Sequence, residues 1–147
     1  MSIQYFTQSV SFKIPHPRKT SNWVQLAFKK EKKCLTALSY VFCSDEDLLP
    51  LNQEYLRHNT LTDIITFDLS ESKEEIQGEI YISIERVREN ALKFKREFDE
   101  ELHRVIIHGA LHLMGYKDKK PPEKVMMREK EEAYLSLRKV PRGTRGH

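Results

Sequence analysis

Two histidines lie four residues apart in the segment HGALHLMGYKD, which spans residues 108–118. In a helix, at about 100° per residue, His108 and His112 lie about 40° apart on one side, one turn from each other. Histidines at this spacing are the usual pair of zinc ligands that a single helix supplies. The spacing therefore indicates a metal site, and the residues around the pair decide what kind of site it is.

The neighbours of the two histidines predict that their helix is buried. Apolar side chains occupy almost every other direction of it: Leu102, Val105, Ile106, Ile107, Ala110, Leu111, Leu113 and Met114. A helix that is apolar around its whole circumference packs inside a protein. Because burying an imidazole without a partner costs about 1–3 kcal/mol, both rings need one. A metal ion would satisfy both rings and keep them neutral.

The residues that follow the histidines can supply a third ligand. Gly115 is able to adopt a positive φ and end the helix at once, so the chain can reverse there. Asp118, ten residues after His108, is then the carboxylate that can return to the ion. Ligation by His108, His112 and Asp118 leaves a fourth position for water, which is the pattern of a catalytic rather than a structural zinc site.

Two further residues of the same helix, His103 and Gly109, limit which residues bind the ion and which class of zinc enzyme the chain can belong to. His103 lies about 140° around the helix from His108, so we expect it at the surface or supporting a ligand, not binding the ion itself. Zinc peptidases of the His-Glu-x-x-His type carry a glutamate base directly after the first histidine, where this chain has Gly109. The sequence therefore disfavours peptide hydrolysis of that kind.

The bulk composition predicts one globular domain. The chain has 147 residues, of which 39% are hydrophobic and 32% charged, and its net charge of +3 neither indicates nor opposes a nucleic-acid partner. Cys34 and Cys43 form no Cys-x-x-Cys pair, which favours two reduced thiols in a cytoplasmic protein. We find no signal peptide and no apolar run of about 18 residues, so we expect no membrane association.

Sequence patterns place the elements that must position the histidines. Strand patterns cover residues 3–6, 35–44, 62–70 and 78–85. Helix patterns cover residues 22–33 after a Thr20 or Ser21 cap, a segment from Ser44 that Pro50 should delay or kink, and residues 86–98, 100–114 and 121–139. We therefore predict an α+β fold, with one domain over residues 1–140 in which about five helices cover a sheet of about four strands. Residues 141–147 are expected to form a flexible basic tail.

The histidine segment also resembles the signature of the YbeY family, H-G-x-L-H-L-x-G-Y-D-H. This chain departs from the signature at Lys117 and Asp118, which stand for aspartate and histidine, so Asp118 falls on the family's third metal ligand. The likeness extends to LNQEYLRHNTLTDIITFDLS (residues 51–70), to GEIYIS (residues 78–83) and to Met127. It covers about residues 35–135.

This resemblance implies a metal-dependent endoribonuclease that holds one zinc ion and cuts single-stranded RNA. His108 and His112 would then be catalytic residues as well as metal ligands. The implied task is ribosomal RNA maturation, especially at the 3′ end of the small-subunit RNA, together with ribosome quality control in the cytoplasm. The implied partners are ribosomal RNA and ribosomal or ribosome-associated proteins.

The same resemblance implies a functional arginine before the third strand. In the family this arginine directly follows the tyrosine, but here Leu56 follows Tyr55 and Arg57 comes one place later. We expect Arg57 to hold the phosphate, with His58 as the alternative. Thr62 and Asp63 are possible walls of the site, although a cap or turn role explains them equally well.

RNA binding would also need a basic surface. The candidates are Arg86, Arg88, Lys93, Lys95, Arg96, Lys117, Lys119, Lys120 and the tail from Arg138 to Arg145. The three lysines on either side of Asp118 are the strongest candidates for RNA contacts, because they must lie near the ion. The other basic residues are explained equally well as an ordinary solvent-exposed surface.

Two other functions stay open at this point. One is a non-catalytic ribosome-assembly factor whose metal only pins the turn after the helix, and the other is a zinc hydrolase of a different substrate. Aspartate in place of a third histidine adds one negative charge and a harder ligand, so we expect Mn²⁺ or Ni²⁺ to be accepted beside zinc.

Overall fold

A four-stranded mixed sheet forms the centre of the fold. The computed structural model describes residues 2–56 and 62–143. The strands are β1 (Ser2–Thr7), β2 (Cys34–Cys43), β3 (Ile64–Asp68) and β4 (Glu75–Ser83), in the spatial order β1-β2-β4-β3. Strands β1, β2 and β4 are parallel, and β3 runs antiparallel to β4 at one edge.

Helices connect and cover these strands. They are α1 (Pro17–Lys30), α2 (Asp45–Leu51), α3 (Ile84–Lys93), α4 (Phe98–Leu113) and α5 (Pro121–Gly143). The sheet and its helices confirm the predicted α+β fold class and the approximate number of elements. Helix α5 continues into the segment expected to be a tail, and residues 144–147 lie outside the described part of the chain.

The two faces of the sheet pack against different partners. On one face, alternate residues of β2 and β4 pack in one core with side chains of α1, α3, α4 and α5. The strand residues of this core include Leu38, Tyr40, Phe42, Ile80 and Ile82. Cys43 and Tyr81, which point the other way, pack with Leu48 of α2. The buried Tyr40 hydroxyl donates a hydrogen bond to the Ile106 carbonyl at 2.9 Å, which links β2 to α4.

Two helix boundaries differ from the predicted ones. Helix α1 begins at Pro17 rather than after Thr20 or Ser21, because proline suits the first helical position and needs no partner for a missing N–H. Helix α2 begins directly after Ser44, as its cap predicts, and Ser44 and Asp47 form a capping box. Pro50 does not delay it, and a π-helical turn at Asn52–Leu56 follows.

Helix α4 lies very close to the sheet at two glycines. A Cβ atom on Gly109 would lie 2.9 Å from the Cδ1 atoms of both Ile64 and Ile80. A Cβ atom on Gly78 of β4 would lie 2.7 Å from Cδ1 of Leu113. The absence of side chains at both positions therefore sets the height of α4, and of its histidines, over β3 and β4.

Both cysteines are free thiols, as expected. Cys34 is exposed and Cys43 is buried. Burial raises the pKa of the Cys43 thiol to about 12, so it stays protonated at neutral pH. Every helix in residues 2–56 and 62–143 is too short or too polar to cross a membrane.

Replacing Gly109 by alanine tests the close contact between α4 and the sheet. Glycine to alanine in a helix normally stabilises by about 1 kcal/mol. Here we expect the opposite sign, because overpacking a filled core costs about 1–3 kcal/mol. Denaturant unfolding of Gly109→Ala and wild type measures the difference, and a more stable variant would contradict the packing described.

Candidate metal centre

The chain reverses immediately after the second histidine. Helix α4 ends at Leu113, and Gly115 has a φ of 109°, a left-handed conformation that favours glycine. The Tyr116 N–H donates to the Leu111 carbonyl at 3.1 Å, and the Gly115 N–H donates to the His112 carbonyl at 3.0 Å. These two hydrogen bonds form a Schellman motif, which turns the following residues back along the helix.

The turn brings one carboxylate oxygen to the two imidazoles. The Nε2 atoms of His108 and His112 are 3.0 Å apart, and Oδ2 of Asp118 lies 3.1 Å from the first and 3.3 Å from the second. Tetrahedral zinc with bonds of about 2.0–2.1 Å holds its ligand atoms about 3.3–3.4 Å apart. The triangle therefore fits a zinc-sized ion with only a few tenths of an ångström of adjustment.

The two imidazoles are less buried than the helix that carries them. The side chains of His108 and His112 are 21% and 29% exposed, and that of Asp118 is 35% exposed. Beyond the first turn of α4, the other half-buried residue is Arg104, so Arg104, His108 and His112 form one half-buried row at i, i+4 and i+8 on an otherwise buried helix. Solvent and a large substrate can therefore approach the three ligand atoms from one side.

The half-buried carboxylate of Glu31 holds the turn in place. The Tyr116 hydroxyl donates to Oε1 of Glu31 at 2.6 Å, and the Tyr134 hydroxyl and Lys130 ammonium donate to Oε2 at 2.5 and 2.9 Å. Burial raises the pKa of Glu31, but these three donors outweigh it and leave the pKa below its usual value. The Glu31 cluster thus ties the segment that carries Asp118 to the end of α1 and to α5.

A second glutamate, which is buried, contacts the site directly. Oε2 of Glu131, on α5, lies 2.5 Å from Nδ1 of His108. Sequence reasoning placed Glu131 in the last helix and gave it no role. The spacing of Glu131 could have indicated a role. Met127, Glu131 and Leu135 recur at i, i+4 and i+8 on the buried face of the helix, where a charged side chain is unusual unless it has a partner.

The two histidines have opposite pKa shifts. Burial lowers the pKa of His108, but its hydrogen bond to Glu131 and the charges of Glu131, Asp118 and Asp63 raise it above the usual value. Burial and the neighbouring His108 lower the pKa of His112, against the smaller effect of Asp118. Two adjacent rings therefore have different affinities for a proton, and His112 is the more easily kept neutral.

Of the four candidate site residues just before β3, the described ranges include Thr62 and Asp63. Burial raises the pKa of Asp63, and the charge of His108 acts against this, so Asp63 lies close enough to the site to influence it. The Asp63 carbonyl also accepts the Ser83 N–H, and the Thr62 hydroxyl donates to the Ile64 carbonyl, as a turn role predicts. Arg57 and His58 lie outside the described residues.

His103 is not at the surface, so that alternative was wrong. It is buried beside Trp23, because α1 and α5 cover this side of α4. Its Nδ1 lies 2.7 Å from the Asp99 carbonyl, and Arg138 is 2.8 Å from its Nε2. It lies outside the group formed by His108, His112 and Asp118, as expected.

The basic candidates differ in whether their charges contact acidic, polar or aromatic groups of the protein or lie at exposed positions. Arg86 pairs with Asp45, Arg96 pairs with Glu101, and Arg138 contacts Thr20 and His103. The guanidinium of Arg88 lies over Phe98, and the Lys93 ammonium lies over Phe94. Exposed positions include Lys95 and the three lysines around Asp118, namely Lys117, Lys119 and Lys120.

The position of Gly109 bears on the class of chemistry. Residue 109 faces Ile64 and Ile80 of the sheet with no space for even a Cβ atom, so a glutamate base could not be accommodated there. Fold and site together define a small α+β protein with a candidate metal centre where a buried helix ends. It does not belong to the zinc-peptidase pattern.

Comparison with known proteins identifies the family. The family model described as Endoribonuclease YbeY matches residues 4–138, and the chain belongs to this family. The match confirms the resemblance seen in the histidine segment and extends it on both sides.

Individual relatives align over nearly their whole length. The protein named Endoribonuclease YbeY from Cytophaga hutchinsonii is 49% identical over 138 residues, which is 94% of this chain and 96% of the relative. That from Flavobacterium psychrophilum is 50% identical over 132 residues, or 90% and 94% of the two chains. A Thermotoga maritima protein solved in solution has a TM-score of 0.64 at 25% identity, covering 99% of this chain and 94% of the other.

Thermal unfolding with added metal tests the three candidate ligands. A ligand at about 100 times its Kd stabilises a folded protein by about 2.7 kcal/mol, so zinc should raise the melting temperature of the wild type. Asp118→Asn removes the carboxylate charge and should lose most of the rise. Mn²⁺ and Ni²⁺ should give smaller rises in the wild type.

The control is His16→Asn, which removes an exposed histidine at a positive-φ position that asparagine tolerates. It should respond to zinc like the wild type. An equal zinc response in Asp118→Asn and the wild type would contradict the assignment of Asp118.

Proposed function

We propose that this protein is a metal-dependent endoribonuclease that cuts single-stranded RNA during maturation of ribosomal RNA. The observation that carries the proposal is the convergence of His108, His112 and Asp118 on one point, at 3.0–3.3 Å, in a member of the Endoribonuclease YbeY family. The proposed domain covers residues 1–140. The proposed task includes the 3′ end of the small-subunit RNA and ribosome quality control in the cytoplasm, with ribosomal RNA and ribosome-associated proteins as partners.

Zinc is the proposed cofactor, one ion per chain, held by His108, His112 and Asp118. Two imidazole nitrogens and one carboxylate oxygen are ligands that zinc prefers, and a three-ligand set is typical of catalytic zinc. When bound, the ion would supply Lewis acidity to a phosphodiester oxygen or to water. The mixed nitrogen and oxygen set is also compatible with Mn²⁺ or Ni²⁺.

Arg57 is the proposed phosphate-binding residue, with His58 as the alternative. Ile64, which follows Arg57 by seven residues in the sequence, packs against Gly109, the neighbour of His108. A guanidinium offers two parallel hydrogen bonds to a phosphate and stabilises charge that develops in the transition state.

Charge and chemistry both favour RNA as the substrate. Lys117, Lys119 and Lys120 are exposed on both sides of Asp118, where they can contact neighbouring phosphates. RNA also carries a 2′-hydroxyl beside each phosphodiester, which DNA lacks. Either this hydroxyl or a water molecule is the proposed nucleophile, and a single-stranded DNA of matching sequence distinguishes the two, since only water can act on it.

Cleavage of a labelled single-stranded RNA tests the proposed activity. We expect the zinc-loaded wild type and His16→Asn to cut it, chelation to stop the reaction, and His112→Ala to remain folded without cutting. Gel analysis of products and thermal unfolding of each protein are the two measurements. Loss of stability in His112→Ala, with no cleavage by any form, would contradict the proposal and favour an assembly factor with a structural metal.

The arginine assignment is tested separately. Arg57→Ala should slow cleavage by about 10²-fold or more, the range seen when one stabilising donor is removed from a reacting oxyanion. It should leave the zinc-induced rise in melting temperature unchanged, because Arg57 is not a ligand. His58→Ala is the comparison, and a larger rate loss in that variant would transfer the role to His58.

A further inference from the structure

We propose that Glu131 is a positioning residue that fixes the tautomer and orientation of His108 for metal binding. This role rests on the proposed function, since Glu131 acts on the same metal site. Oε2 of Glu131 lies 2.5 Å from Nδ1 of His108, while Nε2 on the opposite side of the ring lies 3.1 Å from Oδ2 of Asp118. A single ring therefore contacts the α5 carboxylate with one nitrogen and the ligand cluster with the other.

The chemistry of a neutral imidazole explains why this matters. Only one of its two nitrogens carries a hydrogen, and the other has the lone pair that can bind a metal. A carboxylate beside Nδ1 favours the form in which Nδ1–H donates, so the lone pair lies on Nε2, beside His112 and Asp118. The hydrogen bond also increases the electron density that the ring offers to a metal.

The other oxygen of the Glu131 carboxylate accepts a hydrogen bond from Arg104. Arg104 lies one turn before His108 on α4, and its guanidinium donates to Oε1 of Glu131 at 3.3 Å and to Glu132 at 2.7 Å. The Glu131 side chain is only 11% exposed, so its charge needs these partners. Arg104, Glu131 and His108 form a continuous chain that crosses from α4 to α5 and back.

His112 differs from His108 in its supporting contacts. Its hydrogen-bond partners include the main chain of Tyr116 and the Asp118 side chain. A main-chain group can orient a ring but carries no net charge. Asp118 contacts both rings at Nε2, whereas Glu131 contacts His108 at Nδ1, the nitrogen that faces away from the ligand cluster. Loss of Glu131 should therefore change the metal affinity without removing any ligand.

Zinc affinity measured by competition with a coloured chelator tests the proposal without any RNA. Glu131→Ala should bind zinc about 10–100-fold more weakly than the wild type, the usual effect of removing such a carboxylate. Glu131→Gln keeps an oxygen that can accept the Nδ1–H and should lose less. Glu132→Ala is the matched control, because Glu132 is the next residue, also binds Arg104 and is 59% exposed.

A second measurement reads the tautomer directly in the metal-free protein. Long-range proton–nitrogen NMR, at a pH where the ring is neutral, should show His108 protonated on Nδ1 in the wild type and in Glu132→Ala. The Nε2–H form should increase in Glu131→Ala. If that variant fails to fold in a melting experiment, the nearly isosteric Glu131→Gln provides both measurements.

The outcomes separate this inference from the proposed function. Wild-type zinc affinity and an unchanged tautomer in folded Glu131→Ala would overturn the role of Glu131 and leave the metal site in place. A wild type that binds no zinc would overturn the proposed metal site and this inference together. An equal loss of affinity in Glu132→Ala would also overturn it, since the effect would then belong to Arg104.

Discussion

Three lone-pair atoms, two from imidazoles and one from a carboxylate, meet within 3.0–3.3 Å of one another, and much of the surrounding structure serves to hold them there. Such groups repel or compete for a proton unless something lies between them, so their convergence must be imposed by the fold. Helix α4 supplies two of the atoms from successive turns. The left-handed residue Gly115 supplies the third by reversing the chain toward Asp118.

The rest of the fold limits how far these atoms can move. Gly78 and Gly109 let α4 pack directly on β3 and β4, which sets the position of the histidines relative to the sheet. Two glutamates, the half-buried Glu31 and the buried Glu131, then act from different directions. Glu31 receives three donors and ties the turn to α1 and α5, whereas Glu131 supports His108 and is held by Arg104. Helix α5 is therefore part of the site although it supplies none of the candidate ligands.

The sequence alone predicted what depends on local periodicity. The burial of α4, its end at Gly115, the return of Asp118 and the Ser44 cap each follow from a few adjacent residues. Tertiary pairings could not be found in this way. The contact of Glu131 with His108 joins residues 23 positions apart, and the burial of His103 depends on α1 and α5 covering one side of α4. The early start of α1 depends on Pro17, which can break a chain but also suits the first position of a helix.

Anomalous diffraction at the zinc absorption edge, from crystals of the zinc-loaded protein, would show whether His108, His112 and Asp118 together bind the ion. We expect one strong peak per chain, about 2.0–2.1 Å from Nε2 of both His108 and His112 and about 2.0–2.2 Å from a carboxylate oxygen of Asp118. Nδ1 of His108 should remain on Glu131. A peak at other residues, or a zinc-loaded crystal in which Asp118 points into solvent away from both rings, would contradict this assignment.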